Sequence, residues 1–313
     1  MAIFFDGISA LEWYRGLGSG VMKLDGAKRY AREFERSFPH AAELECILGA
    51  FPPSNPVRLI VASSSRRCCV RGVTCRVFAM PVPKGAFVRL AEDVYGCSPS
   101  FAFVRSALEV EFADLVKLGY EIVGSYRLAL SSERGFQSAP PLAAYRQLSV
   151  FSSQSELPGA RRAAKALRFV APGSVSPMET ALSMVLTMPN SKGGYGLPMP
   201  QLNAAVDVPR ADWRVAFGRQ FQCDLLWPEA DFAVEYDSDM FHASSAKIAH
   251  DAKRCNALSS LGITVITVTR AQFSSIHGLD QVASQVAKGI GARVRMERVN
   301  RVAQRKLLTR VLA

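Results

Sequence analysis

The alternation of apolar and polar positions divides the chain into segments of two kinds. Residues 10–50 read as largely helical. Within 26–38, Ala27, Tyr30, Ala31, Phe34 and Phe38 fall near one face, the apolar stripe an amphipathic helix buries. A second, shorter helix over 43–51 is stopped by Pro52-Pro53. Residues 57–62 read as a buried strand, 69–80 as one or two further strands, and 88–94 as another. Residues 99–118 form the clearest helix of this half, with Ser98 as N-cap and Gly119 as stop. From 131 to 160 the pattern gives way to Ser, Gly, Pro and Gln, relieved by one short helix over 142–150. A domain boundary is expected near Pro158, separating residues 1–158 from 159–313.

The second half has a different rhythm. A short basic helix over 159–169 carries Arg161, Arg162, Lys165 and Arg168 on its polar side, where it could support the backbone of a duplex or simply face solvent. Ser176-Pro177-Met178-Glu179 is a strong helix start: Ser as N-cap, Pro at the first helical position, Glu at the third. The run to Met188 is apolar on most faces, so this helix is expected to be buried. Residues 193–198 make a glycine-rich loop, but no Lys-Ser/Thr follows and no buried strand precedes it, so it is no phosphate cradle. Strands are expected over 202–208, 219–227 and 232–236, a helix over 244–261, and a β-branched strand over 263–269. Helical sequence then covers 279–310, with a break near Gly289 and Gly291. The order is α-β-β-β-α-β, an α/β arrangement, preceded by a smaller α+β domain.

Candidate chemistry concentrates in residues 221–237. The run 221–227 is apolar apart from Gln222 and one carboxylate, Asp224. Trp227-Pro228-Glu229-Ala230-Asp231 is turn sequence, because proline fixes φ and lacks a donor. Phe232-Ala233-Val234 returns as a buried run and delivers Glu235 and Asp237 on one face of a strand. Three carboxylates on one apolar hairpin are costly to desolvate without a compensating cation, and a hard divalent metal takes carboxylate oxygens. Glu179 reads equally as a cap partner and as a helix carboxylate facing the same site.

An acidic residue, Trp-Pro, Glu-x-Asp, His, Asp-x-x-Arg and a final strand, in that order, resemble the PD-(D/E)xK nucleases, in particular the branch of very-short-patch-repair-like endonuclease domains. The pieces here are Asp224, Trp227-Pro228, Glu235-Tyr236-Asp237-Ser238, His242, Asp251-Ala252-Lys253-Arg254 and residues 262–269. The resemblance covers about 176–273. It implies a restriction-endonuclease-like core and hydrolysis of DNA phosphodiester bonds with Mg²⁺ or Mn²⁺, held by Asp224, Glu235 and the Tyr236 carbonyl. Glu179, Asp237 and His242 are the further catalytic candidates, and Lys253 and Arg254 the candidates for phosphate. Two positions depart from the pattern: Asp237 stands where the family has Lys, and Ser238 where this branch has Gly. The missing Lys keeps a second reading open, a DNA-binding regulator on an inactive nuclease fold. Residues 56–126 are similar to the domain that precedes such nucleases and to antitoxin-like regulators of abortive-infection systems. Asp251 and Arg254, near one face of a helix, could also form an intrahelical ion pair.

Charge sharpens this picture. The 313 residues carry a net charge of +11, and a basic chain is suited to polyanions. Residues 161–313 hold 20 basic against 12 acidic residues, residues 1–160 hold 18 against 15, so the half with the carboxylates is also the more basic. Its C-terminal stretch carries Arg293, Arg295, Arg298, Arg301, Arg305, Lys306 and Arg310 against Glu297, interleaved with Val294, Val299, Val302, Leu308 and Val311. Arg295, Arg298 and Arg305 are the expected phosphate contacts. The apolar runs are too short to span a bilayer. The first six residues lack the basic start and long apolar core of a signal peptide. Seven cysteines, an odd count, suit a reducing compartment. A cytoplasmic bacterial DNA-binding enzyme is therefore expected, without a membrane partner and compatible with a homodimer.

Overall fold

The computed structural model describes residues 2–16, 30–40, 44, 56–129, 132–208, 219–237 and 245–312, with the backbone alone over 245–252. It is a mixed α/β protein of two compact units, Met1–Arg168 and Phe169–Ala313.

The first unit is built on a five-stranded sheet. Its central strand β1 (Ile3–Phe5) is antiparallel to β2 (Val57–Val61), which pairs in parallel with β3 (Val73–Val77). On its other side β1 is parallel to β5 (Val94–Cys97), itself antiparallel to β4 (Phe87–Ala91). All three residues of β1 are buried, so the strand shows no alternation and escapes a sequence reading based on period two. Residues 88–94, expected as one strand, turn back at Asp93 (φ 54°) to form the β4–β5 hairpin. Helices α1 (Gly7–Gly16) and α2 (Ala31–Arg36) accompany this sheet. Phe34 of α2 meets Phe4 and Phe87 at ring separations of 5.2 and 4.9 Å; the helix is shorter than expected, so Tyr30 and Phe38 lie outside it. Ala27 and the segment 43–51, apart from Leu44, lie outside the described residues.

The expected helix over 99–118 is two helices, α3 (Pro99–Ser106) and α4 (Phe112–Val123), and Gly119 sits buried inside the second. Tertiary ion pairs hold the bend between them. Arg105 is locked by two hydrogen bonds of 2.9 and 2.8 Å to the fully buried Asp6, and Glu109 is met by Arg58 and Arg76. The intervening backbone tightens into bonds such as Leu108 N–H to the Arg105 carbonyl, 3.1 Å. A hairpin of β6 (Tyr126–Leu128) and β7 (Phe136–Ser138) follows, then α5 (Tyr145–Ser152) and α6 (Ala160–Leu167). The basic helix α6 packs on α4 and α5, and Arg162 donates to the Ala107 carbonyl at 2.6 Å. These contacts place α6 in the first unit, which runs to Arg168.

The second unit follows the expected order: α7 (Pro177–Thr187), β8 (Gln201–Asp207), β9 (Gln220–Trp227), β10 (Phe232–Asp237), α8 (Ser245–Ser260) and β11 (Thr264–Thr269). The sheet runs β11-β10-β9-β8, with β10 and β11 parallel and the other pairs antiparallel. The Pro228 turn is one short 3-10 segment closed by Asp231 in the left-handed region (φ 47°). Cys223, Leu226, Ala233, Leu258 and Ile263 form a core that joins β9, β10 and α8.

After a short α9 (Arg270–Phe273), the helical stretch expected over 279–310 is α10 (Ile276–Gly289) and α11 (Arg301–Leu312). The first of these ends at Gly289, where a Cβ would meet the ring of Phe232 and only glycine fits. Arg301, within the basic stretch, pairs with Asp280 at 2.8 Å. Val302, expected on the apolar side, is 65% exposed, whereas Val299, Leu308 and Val311 are buried. Among the described residues no helix is long and apolar enough to cross a membrane.

Candidate functional site

The site begins with the antiparallel pairing of β9 and β10. Trp227 lies opposite Phe232, Leu226 opposite Ala233 and Leu225 opposite Val234. One residue further, Asp224 and Glu235 become neighbours. Here a side chain takes over from the ladder: the Tyr236 N–H donates to Asp224 Oδ2 at 2.8 Å. The aspartate that interrupts an apolar strand is thereby fixed to the strand carrying the glutamate.

Both carboxyls bind protons more tightly than usual. Burial raises Asp224, opposed by the Tyr236 N–H and by Arg254. Burial and then the charge of Asp224 push Glu235 up to about 7. The same burial, with the Glu235 charge added, pushes the Cys223 thiol up to about 12. A third carboxyl, Glu179, is raised by burial and also feels Asp224. Three acids are therefore electrostatically linked in one partly desolvated place, an arrangement found at functional sites more often than elsewhere.

Glu179 fills both roles that its sequence position suggested. Ser176 Oγ caps α7 by accepting from the Glu179 N–H at 3.2 Å. The Glu179 carboxylate accepts from Ser176 Oγ at 2.9 Å, from the Val175 N–H at 3.0 Å and from Asn203 Nδ2 at 2.5 Å. With both oxygens engaged, it helps to shape the site rather than offer a free ligand. Asn203 is a site residue that the sequence reading missed. It lies in β8 at the place skipped between the pairs Leu202–Leu225 and Ala204–Cys223, and its φ of 47° is left-handed. A non-glycine residue in that conformation inside a strand stores strain, which clusters at functional positions. The only sequence signal was that Asn tolerates this region better than most residues.

The cation of the site is Arg254. From α8 it donates to Glu235 Oε1 at 2.7 Å and also to the Gln222 carbonyl. Arg254 is thus tied to a strand and not only to its own helix; the side chain of Asp251 lies outside the described residues. Lys253 is exposed. Asp237 ends β10 in register with Thr269, two residues beyond the coupled pair. His242 and Ser238 fall outside the described residues. Arg295, Arg298 and Arg305 are exposed in the second unit, available to a polyanion.

Among the described residues no group of three or more His, Cys, Asp or Glu is placed to hold a metal ion. The donor set is two carboxylates, Asp224 and Glu235. Hard oxygen donors of this number suit Mg²⁺, which keeps several waters and uses one or two carboxylates together with substrate phosphates. They do not make a cage that would hold a metal by itself.

No family model and no solved structure matches the chain. It is similar to two uncharacterized proteins of Mycobacterium tuberculosis, from two strains, each 32% identical over 75 residues. The match covers 24% of this chain and 25% of each relative, so the chain spans a quarter of the length of the curated relatives it matches.

Proposed function

We propose that the second unit is a nuclease of the PD-(D/E)xK type, a metal-dependent hydrolase of DNA phosphodiester bonds. The observation that carries this reading is the coupled pair Asp224–Glu235 at the meeting of β9 and β10, with Glu235 held up to about 7 and a guanidinium at its side. Two acids that repel each other in a desolvated place are stabilised by a divalent cation. Asp224 and Glu235 would hold Mg²⁺ or Mn²⁺, with the Tyr236 carbonyl as an additional donor. Bound there, the metal would supply Lewis-acid polarisation and an activated water. The chain's own residues do the positioning. Tyr236 N–H aims Asp224, Asn203 and Ser176 hold Glu179 against the pair, and exposed Lys253, Arg295, Arg298 and Arg305 would attract the phosphate backbone.

The test is cleavage of supercoiled plasmid by the full chain with and without Mg²⁺, beside Asp224→Asn. On this reading Asp224→Asn loses cleavage while its circular dichroism and DNA binding stay as in the parent. A parent chain that leaves plasmid intact in Mg²⁺ and Mn²⁺ would overturn the reading.

A second reading is favoured by one observation. Arg254 already pairs with Glu235 at 2.7 Å, as expected of a nuclease fold that keeps its acids without metal chemistry. The protein would then be a DNA-binding regulator, with the salt-dependent affinity of a polyanion binder and no cleavage.

A further inference from the structure

The arrangement around Glu235 leaves one charge with two claimants. Its carboxylate is largely buried, with 12% of the side chain exposed, and Arg254 lies against it at 2.7 Å, itself 29% exposed. The same guanidinium reaches the Gln222 carbonyl on β9. Arg254 therefore clips β9 to β10 beside the acidic pair, on the oxygens that a metal would need. A buried carboxylate pair in its ionised form is stabilised by a compensating charge nearby, and among the described residues the cation that meets Glu235 is this one.

We propose that Arg254 is the resident counter-ion of the site and competes with a divalent metal for Glu235. The inference rests on the nuclease reading above. With no metal present, the guanidinium offsets the repulsion between Asp224 and Glu235. A divalent ion held by these carboxylates would draw on the same negative charge that holds the guanidinium, so metal affinity is lowered by Arg254 and rises when it is withdrawn. A guanidinium freed from Glu235 keeps the planar fork that suits a phosphate. Metal occupancy and phosphate binding would then favour each other, as linkage requires of two events that share one exchangeable group.

The experiment is Mn²⁺ binding to the full chain, followed by electron paramagnetic resonance of the free ion, without nucleic acid and without reference to turnover. Arg254→Gln removes the competing charge and keeps a hydrogen-bonding amide; Arg254→Lys keeps the charge and guards against an effect of misfolding. Asp224→Asn sets the baseline. Arg254→Gln is expected to bind Mn²⁺ roughly tenfold more tightly than the parent, within the ordinary range of coupling between sites, while Arg254→Lys stays within about threefold of the parent. Equal or weaker binding by Arg254→Gln, in a protein where Asp224→Asn abolishes binding, would overturn the competition and leave the metal site standing. Absence of Mn²⁺ binding from the parent and both Arg254 variants would overturn both this inference and the metal-dependent reading beneath it.

Discussion

The proton affinity of Glu235 has a consequence for stability that can be worked through. Its carboxyl titrates at about 7 in the folded chain against an ordinary 4.5. Because the folded value is the higher, the folded state keeps a proton that the unfolded state has lost. Stability falls as pH rises through that interval, since the slope follows the protons bound by the unfolded state minus those bound by the folded one. Below the ordinary value both states are protonated and there is no effect; above 7 the full penalty is present and the curve is flat. The interval is worth about 3 kcal/mol at ~1.4 kcal/mol per unit, and the value's own precision makes this a figure of about 2–4 kcal/mol. The perturbation is Glu235→Gln, and the quantity is the difference in unfolding free energy between parent and variant, so that groups remote from the acidic pair cancel. Urea unfolding at closely spaced pH between 4 and 8 measures it. The variant should gain on the parent by about 3 kcal/mol across that range, whatever constant offset comes from leaving Arg254 opposite an amide. A difference that does not change with pH would show that Glu235 ionises normally, and the coupled acidic pair would lose its physical basis.

Three further outcomes follow from contacts elsewhere in the fold. Asp6→Asn leaves the Arg105 guanidinium buried without its anion and should cost about 3–5 kcal/mol, part of which Arg105→Met in the same chain should restore; no recovery in urea melts of the double variant would mean the pair is not the source. Gly289→Ala drives a methyl into the ring of Phe232 and should destabilise the second unit by about 1–3 kcal/mol, seen as a lower thermal midpoint; an unchanged midpoint would refute the close approach. Asn203→Gly should lose the hydrogen bonds to Glu179 and to the Gly173 carbonyl, about 2–4 kcal/mol together, and Asn203→Ala about 1–2 kcal/mol more for its left-handed backbone, so equal losses in denaturant melts would argue that Asn203 is not strained.

The sequence by itself determined those features whose cause is local. The N-terminal cap of α7 was legible because Ser176, Pro177 and Glu179 each act within one turn, and the strand β11 because a β-branched run has few other conformations open to it. The adjacency of Asp224 and Glu235 was also legible, since a short turn between two apolar runs fixes which residues meet. Interactions between distant parts of the chain were decided by the tertiary structure. The strand β1 is three residues long and buried on every side, so no periodicity marks it. The helix expected over 99–118 bends because Asp6, Arg58 and Arg76, far off in sequence, take hold of Arg105 and Glu109. Asn203 joined the site in the same manner: an asparagine in a strand looks like an ordinary polar position until the fold sets Glu179 beside it. Arg254 was legible as a phosphate candidate, but its contact with Glu235 was decided by the fold. Local propensity acts over one turn or one hairpin, whereas the energy of a buried charge depends on whichever groups the folded chain brings within a few ångströms of it.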